Sequence, residues 1–243
     1  MNKLLKALKK IKRRFTGHRS YRKFIVLTRS RTGSNLLISL LNAHQNIEAH
    51  GEIFARLHHK TSMEIWNNTF GIKRKWIKRV GFKIFYYHPL DSDDSIVWDQ
   101  LLKDKSIKVI HLQRENLLRV HLSRLIAGKT DVWTNSGKEK TTSSKNVEVS
   151  IDEMFDDFKQ TQFLIEKAAS DFRSHEFVDI RYETLAANKQ AEMTKLFKFL
   201  DLPNEKVSSD LKKQNPEKLE DLIINYQEVR EALENTEYEH FLD

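Results

Sequence analysis

Phe24-Ile25-Val26-Leu27-Thr28-Arg29-Ser30-Arg31-Thr32-Gly33-Ser34-Asn35-Leu36-Leu37 is an apolar run that breaks into a polar turn and resumes at once as a helical pattern. Its first residues are apolar without alternation, which marks a strand buried on both faces of a parallel sheet. In an open α/β sheet, ligands bind in the loop between such a strand and the next helix. Unpaired N–H groups of the first helical turn point at the ligand, and the helix dipole favours an anion. Ser30, Thr32, Ser34 and Asn35 add hydrogen-bond donors, while Arg29 and Arg31 add positive charge in forked geometry. That combination describes a cradle for a phosphate or sulfate. The plainer reading, a strand-to-helix turn capped by serine or asparagine, has no use for either arginine. The two glycines and the lysine of an ATP-binding P-loop are missing, and so is the GxGxxG of dinucleotide folds.

Three further runs, 80–86, 107–112 and 177–180, share the apolar or β-branched character of a buried strand. Helical patterns begin near Ser34, Asp94, Asn116, Ile151 and Lys189; one carries Ile151, Met154, Phe155, Phe158, Ile165, Ala169 and Phe172 on a single face. Strands alternating with helices predict a three-layer α/β fold, a central parallel sheet flanked by helices. Composition agrees: seven glycines and three prolines in 243 residues are too few for a turn-rich all-β fold. Fourteen phenylalanines and four tryptophans exclude a wholly disordered chain. The absence of cysteine excludes a disulfide framework, a thiolate metal site and a cysteine nucleophile. No run reaches the roughly 18 apolar residues of a membrane span, so the protein is expected in the cytoplasm or peripherally at a membrane. The net charge of +8 favours an anionic partner.

Residues 1–20 form a basic amphipathic segment, with Leu4, Leu8, Ile11 and Phe15 at helical spacing among lysines and arginines. It suits contact with an anionic membrane surface, or a solvated helix resting on the domain. No nucleic-acid-binding motif accompanies it, so nucleic acid is not an expected partner. Residues 21–243 read as one domain. Within it, the Ser-, Thr- and Lys-rich stretch 129–148 is expected to be a mobile surface loop, and the charged tail from Lys212 a helix on the sheet.

Thr28-Arg29-Ser30-Arg31-Thr32-Gly33-Ser34-Asn35 resembles the 5′-phosphosulfate-binding loop of sulfotransferases, which use 3′-phosphoadenosine 5′-phosphosulfate (PAPS). The cytosolic branch has a lysine followed by Ser-Gly-Thr-Thr there; Arg31-Thr32-Gly33-Ser34-Asn35 takes those places, and arginine is common in the carbohydrate-modifying and bacterial branches. The stretch from Ile107 through Arg114 to Ser123 is similar to the family's 3′-phosphate element, with a spacing of nine residues against eight in the cytosolic branch. Residues 177–185 and 196–202 are similar to structural segments of the same proteins, and the tail with Asn225-Tyr226 and Phe241-Leu242 to the bacterial carbohydrate branch. The resemblance runs from about residue 23 to the end. It implies a P-loop-NTPase-like fold and a PAPS-dependent sulfotransferase acting, without a metal, on a hydroxyl of a carbohydrate or glycolipid. The co-product would be adenosine 3′,5′-bisphosphate (PAP).

Sulfuryl transfer from an activated donor is physically close to phosphoryl transfer, so positioning and charge stabilisation supply most of the catalysis. The resemblance assigns the donor's phosphosulfate to Arg29, Ser30, Arg31, Thr32, Gly33, Ser34 and Asn35, and its 3′-phosphate to Arg114 and Ser123. A base must take the acceptor's proton. Glu52, just past the first helix, and His88, beside Pro89 after the second strand, are the candidates. Glu52 ranks first because Arg31 and the tail both point to the carbohydrate branch. Lys83, a charge in a buried strand, needs a partner and is expected to face the sulfonate. Trp133 offers a ring for stacking on a sugar. His50, His58 and His59 do not compose a HExxH pattern. Two other classes stay open: a non-catalytic anion-binding module for membrane, glycan or nucleic acid, and a Mg²⁺-dependent sugar or nucleoside kinase of related topology.

Overall fold

Residues of the quoted strand alternate between two cores. Phe24 and Val26 pack with Leu37, Leu40 and Leu41 on one side, Ile25 and Leu27 with Phe82, Ile84 and Phe172 on the other. All four strand residues are fully buried, as a central strand covered on both faces requires. The computed structural model describes residues 17–132, 144–211 and 215–242.

Five strands make the main sheet: β2 (Arg22–Thr28), β3 (Ile47–His50), β5 (Arg79–Phe85), β6 (Lys108–Gln113) and β7 (Phe177–Arg181). All pair in parallel, in the order β3-β5-β2-β6-β7. A small antiparallel pair, β1 (Gly17–His18) with β4 (Lys73–Arg74), stands apart. One face of the sheet is covered by α1 (Ser34–Asn42) and α7 (Lys189–Phe199). The other is covered by α2 (Ser62–Thr69), α3 (Ile96–Lys103) and the end of α5 (Ile151–Asp171). This is the expected three-layer α/β architecture, a central parallel sheet flanked by helices, with the strand that opens the sequence argument at its centre.

Each predicted strand is present, and β3 is an addition. Its sequence, Ile47-Glu48-Ala49-His50, alternates between buried and half-buried because it lies at the sheet edge. A search for unbroken apolar runs passes over such a strand. β3 matters for the site, since it delivers Glu52 to the carboxyl edge of the sheet.

The tail departs from the single helix expected on the sheet. α8 (Leu219–Leu222), α9 (Tyr226–Leu233) and a 3₁₀ turn (Glu239–Leu242) instead build a third core. Leu219, Leu222, Val229, Leu233 and Phe241 pack there against Leu118 and Leu122 of α4 (Leu117–Thr130) and against Met154 and Phe158 of α5. The apolar face of the tail therefore meets helices, and those helices meet the sheet. The stretch expected as a mobile loop is anchored at both ends. Lys129 and Thr130 complete α4, and the buried Val147 exchanges backbone hydrogen bonds of 2.9 Å with Leu222 and Ile224. Trp133 and most of the basic N-terminal segment lie outside the described residues.

Candidate active site

The carboxyl ends of the strands open into a cavity of about 960 Å³. Its floor is the N-terminus of α1. Gly33 caps that helix at φ +82°, with no side-chain cap and no acidic residue in the first turn, so the N–H groups there keep their affinity for an anion. A Cβ on Gly33 would stand 2.3 Å from the ring of Tyr182, which makes glycine a requirement at this position. Arg31 also occupies the left-handed region, at φ 68°. A non-glycine residue held there costs roughly 1–2 kcal/mol, and the surrounding structure must over-determine it. Arg114 contributes by donating from Nη1 to the carbonyl of Arg31 at 3.1 Å.

Ser30, Arg31, Gly33, Ser34, Asn35, Glu52, Lys83, His88, Arg114 and Ser123 all line this one cavity. Arg31 donates from Nε to Ser123 Oγ at 2.9 Å, so the nine-residue spacing still brings that serine to the loop. Burial lowers the affinity of Arg31 for its proton, and the neighbouring Arg114 lowers it further. Two crowded guanidiniums at a helix N-terminus form a site that a multivalent anion relieves.

On the opposite wall Lys83, buried in β5, bonds Asn35 Oδ1 at 2.5 Å and Ser34 Oγ at 3.3 Å and ion-pairs Glu52 at 2.7 Å. Glu52 is thus the partner that a charge in a buried strand demands.

His88 lies behind this pair, its Nε2 4.0 Å from Glu52. Burial pushes its imidazole down to about 4, against the pull of Glu52 and helped by Lys83. Nδ1 accepts the Phe85 N–H at 3.2 Å, so the proton of the neutral ring sits on Nε2. Between pH 4 and the ordinary imidazole value of 6.5, the folded state therefore binds fewer protons at His88 than the unfolded chain. The stability contributed by neutral His88 is fully present above pH 6.5 and is lost as the pH falls towards 4. Melting temperature should drop through that window, and His88→Gln should flatten the drop. An unchanged slope in the variant would show that His88 is not held neutral.

The side chains of two residues of the anion loop turn away from the cavity. The Arg29 guanidinium is buried against α5, paired with Asp157 at 3.0 Å and bonded to Thr161. Arg124 holds the same carboxylate at 2.8 Å. Arg29 therefore anchors the loop to the helix layer. Thr32 is buried inside the loop, bonded to Thr28 Oγ1 at 2.7 Å and to the Arg29 carbonyl at 3.0 Å.

Other lining residues went unnoticed in the sequence. Tyr182 packs on Gly33 and lies under the Arg114 guanidinium, 4.8 Å from its ring centre. Its motif, Arg181-Tyr182-Glu183, resembles a structural segment, and only the fold brings it across from β7. Arg119 and Arg124 of α4 also line the cavity; Arg119 lies one helical turn before Ser123, and that spacing was a usable signal. Among the described residues, no group of three or more His, Asp or Glu is arranged to hold a metal ion.

A family model for the sulfotransferase domain matches residues 21–242. Nodulation protein H of Rhizobium tropici is 25% identical over 238 residues, covering 90% of this chain and 92% of that protein. A crystal structure of a sulfotransferase from Alicyclobacillus acidocaldarius aligns with TM-score 0.45 and 13% identity, over 87% of this chain and 90% of that one. Mouse sulfotransferase SULT7A1 complexed with PAP aligns with TM-score 0.45 and 12% identity, over 95% of this chain and 78% of that one. The domain match takes in both arginines, the Lys83–Glu52 wall and all three cores, and the chain belongs to the sulfotransferase family as a PAPS-dependent enzyme.

Proposed function

We propose that this enzyme transfers the sulfuryl group of PAPS to a hydroxyl of a carbohydrate or glycolipid, with Glu52 as general base. The observation that carries the reading is that Arg31 and Arg114 face one cavity, joined through the Arg31 carbonyl, with the Lys83–Glu52 pair on its other wall. The donor set suits PAPS: an uncapped helix N-terminus, a glycine where a side chain would intrude, and a buried Arg114 Nε with no hydrogen bond of its own. Arg31 and the N–H groups of α1 would hold the phosphosulfate, and Arg114 with Ser123 the 3′-phosphate. The donor brings the activated sulfuryl group; the chain's part is positioning and charge.

Glu52 is preferred over His88 on hydrogen-bond grounds. His88 spends its Nδ1 lone pair on Phe85, so Nε2 carries the proton and has no lone pair for the acceptor's proton. Glu52 Oε1 is tied to Lys83, and Oε2 stands 4.0 Å from His88 Nε2. In this reading Lys83 stands between base and phosphosulfate loop, where charge develops during transfer. The domain is residues 21–243, and the basic segment 1–20 is assigned to peripheral contact with an anionic surface. Among the described residues, no helix is long and apolar enough to cross a membrane.

Thermal shift separates this reading from a plain anion-binding module. PAP should raise the melting temperature well beyond ATP or inorganic phosphate at equal concentration, by about 2.7 kcal/mol of stability at a hundredfold excess over Kd. Equal stabilisation by all three would overturn the donor assignment. Incubation with labelled PAPS and a panel of glycans and glycolipids then reads the acceptor class.

A further inference from the structure

The cavity is divided along the sheet edge. Arg31, Arg114, Arg119, Ser123 and Tyr182 approach from the β2, β6 and β7 side. Glu52, Arg56, Tyr87, His88 and Leu90 follow β3 and β5 and line the other half. The second half is therefore where an acceptor hydroxyl must lie to reach Glu52.

Most cations of the cavity have work on the donor side or a carboxylate partner. Lys83 is paired with Glu52 and Arg124 with Asp157, Arg31 bonds Ser123, and Arg114 bonds the Arg31 carbonyl with Glu183 at 3.9 Å. Arg56 differs: among the described residues it makes no ion pair, and it stands in the acceptor half. Its backbone is nevertheless fixed. Ala55 on one side accepts the Leu90 N–H at 2.8 Å, and Leu57 on the other donates to Asp91 at 2.8 Å. The His58 N–H adds a bond of 3.2 Å to the same carboxylate. The turn carrying Arg56 is thus clamped to the turn carrying Tyr87 and Leu90, which sets it apart from a charge on a loose surface loop.

Tyr87 and Leu90 form the shelf beside it. They are 39% and 53% exposed, and the Tyr87 hydroxyl is held by the Ser30 N–H at 3.2 Å. The Tyr87 ring stands edge-on to His88, with centroids 5.7 Å apart. A fixed aromatic ring and a leucine offer an apolar surface to the apolar face of a sugar. A guanidinium next to that shelf matches a carboxylate or sulfate ester through paired N–H bonds. Resting on the carbohydrate reading above, the geometry points to an acidic glycan as the acceptor, its ring on Tyr87 and Leu90 and its anionic group on Arg56.

Isothermal titration tests this with a hyaluronan tetrasaccharide and its carboxyl-reduced, uncharged counterpart, each added to the full chain with and without PAP. The acidic form should bind at least tenfold more tightly. Arg56→Gln should erase that preference while leaving the affinity for the reduced form and the PAP-induced thermal shift intact. Equal affinity for the two saccharides, no binding of either, or a preference that survives in Arg56→Gln overturns the proposal. Failure of PAP to stabilise the chain overturns the donor assignment instead, and the comparison of the two saccharides without PAP still reads the acceptor site by itself.

Discussion

Arg31→Ala is expected to lower the rate of sulfuryl transfer by about 10²- to 10³-fold, the usual effect of removing one donor aimed at developing charge. Two features make this change damaging. The guanidinium lies beside the uncapped end of α1, where charge on the phosphosulfate must be held, and its Nε also fixes Ser123. Arg31 is in addition the residue whose carbonyl receives Arg114, so a looser loop would disturb the second arginine as well. Arg31→Lys separates charge from shape: it keeps the positive charge and loses the fork, and it should recover only part of the rate. Single-turnover transfer from labelled PAPS is the measurement. Unimpaired transfer in Arg31→Ala would remove the loop from the chemistry.

Glu52→Gln is expected to reduce kcat by about 10²- to 10⁴-fold, the range for loss of a positioned general base. The amide preserves shape and can still accept from Lys83, so the PAP-induced thermal shift should survive. A fall in kcat with nucleotide affinity retained is the signature of a group acting on the acceptor's proton. Normal turnover in Glu52→Gln would transfer the base role to His88, and with it the tautomer argument would fail. That argument is narrow and physical: a neutral imidazole has one lone pair, and here the Phe85 N–H takes it.

Much of the site was legible before the fold because its central part is local. A strand, a short polar loop and a helix N-terminus are consecutive in the chain, so the order of residues 24–37 is enough to describe an anion cradle. The same holds for Arg114 at the end of β6 and Ser123 on the helix that follows. Lys83 was legible for a different reason, since a charge inside an apolar strand announces a partner without naming it. Its partner, Glu52, follows an edge strand whose alternating sequence gives a weak signal.

From the order of its residues alone, this protein declares a parallel α/β sheet and a loop with the make-up of an anion cradle at the end of its first long strand. Burial on both faces and helix-terminal N–H groups are consequences of short stretches of chain. Tertiary structure decided which arginine serves that loop. Arg29 and Arg31 are two residues apart and chemically identical, yet Asp157 on α5 draws the first away, while a left-handed backbone at the second turns it into the cavity. It also supplied Tyr182 from beyond β7, placed Arg56 beside Tyr87 and Leu90, and set the proton on His88. Each of these depends on groups distant in sequence, and pairing over such distances is what folding adds to the local code.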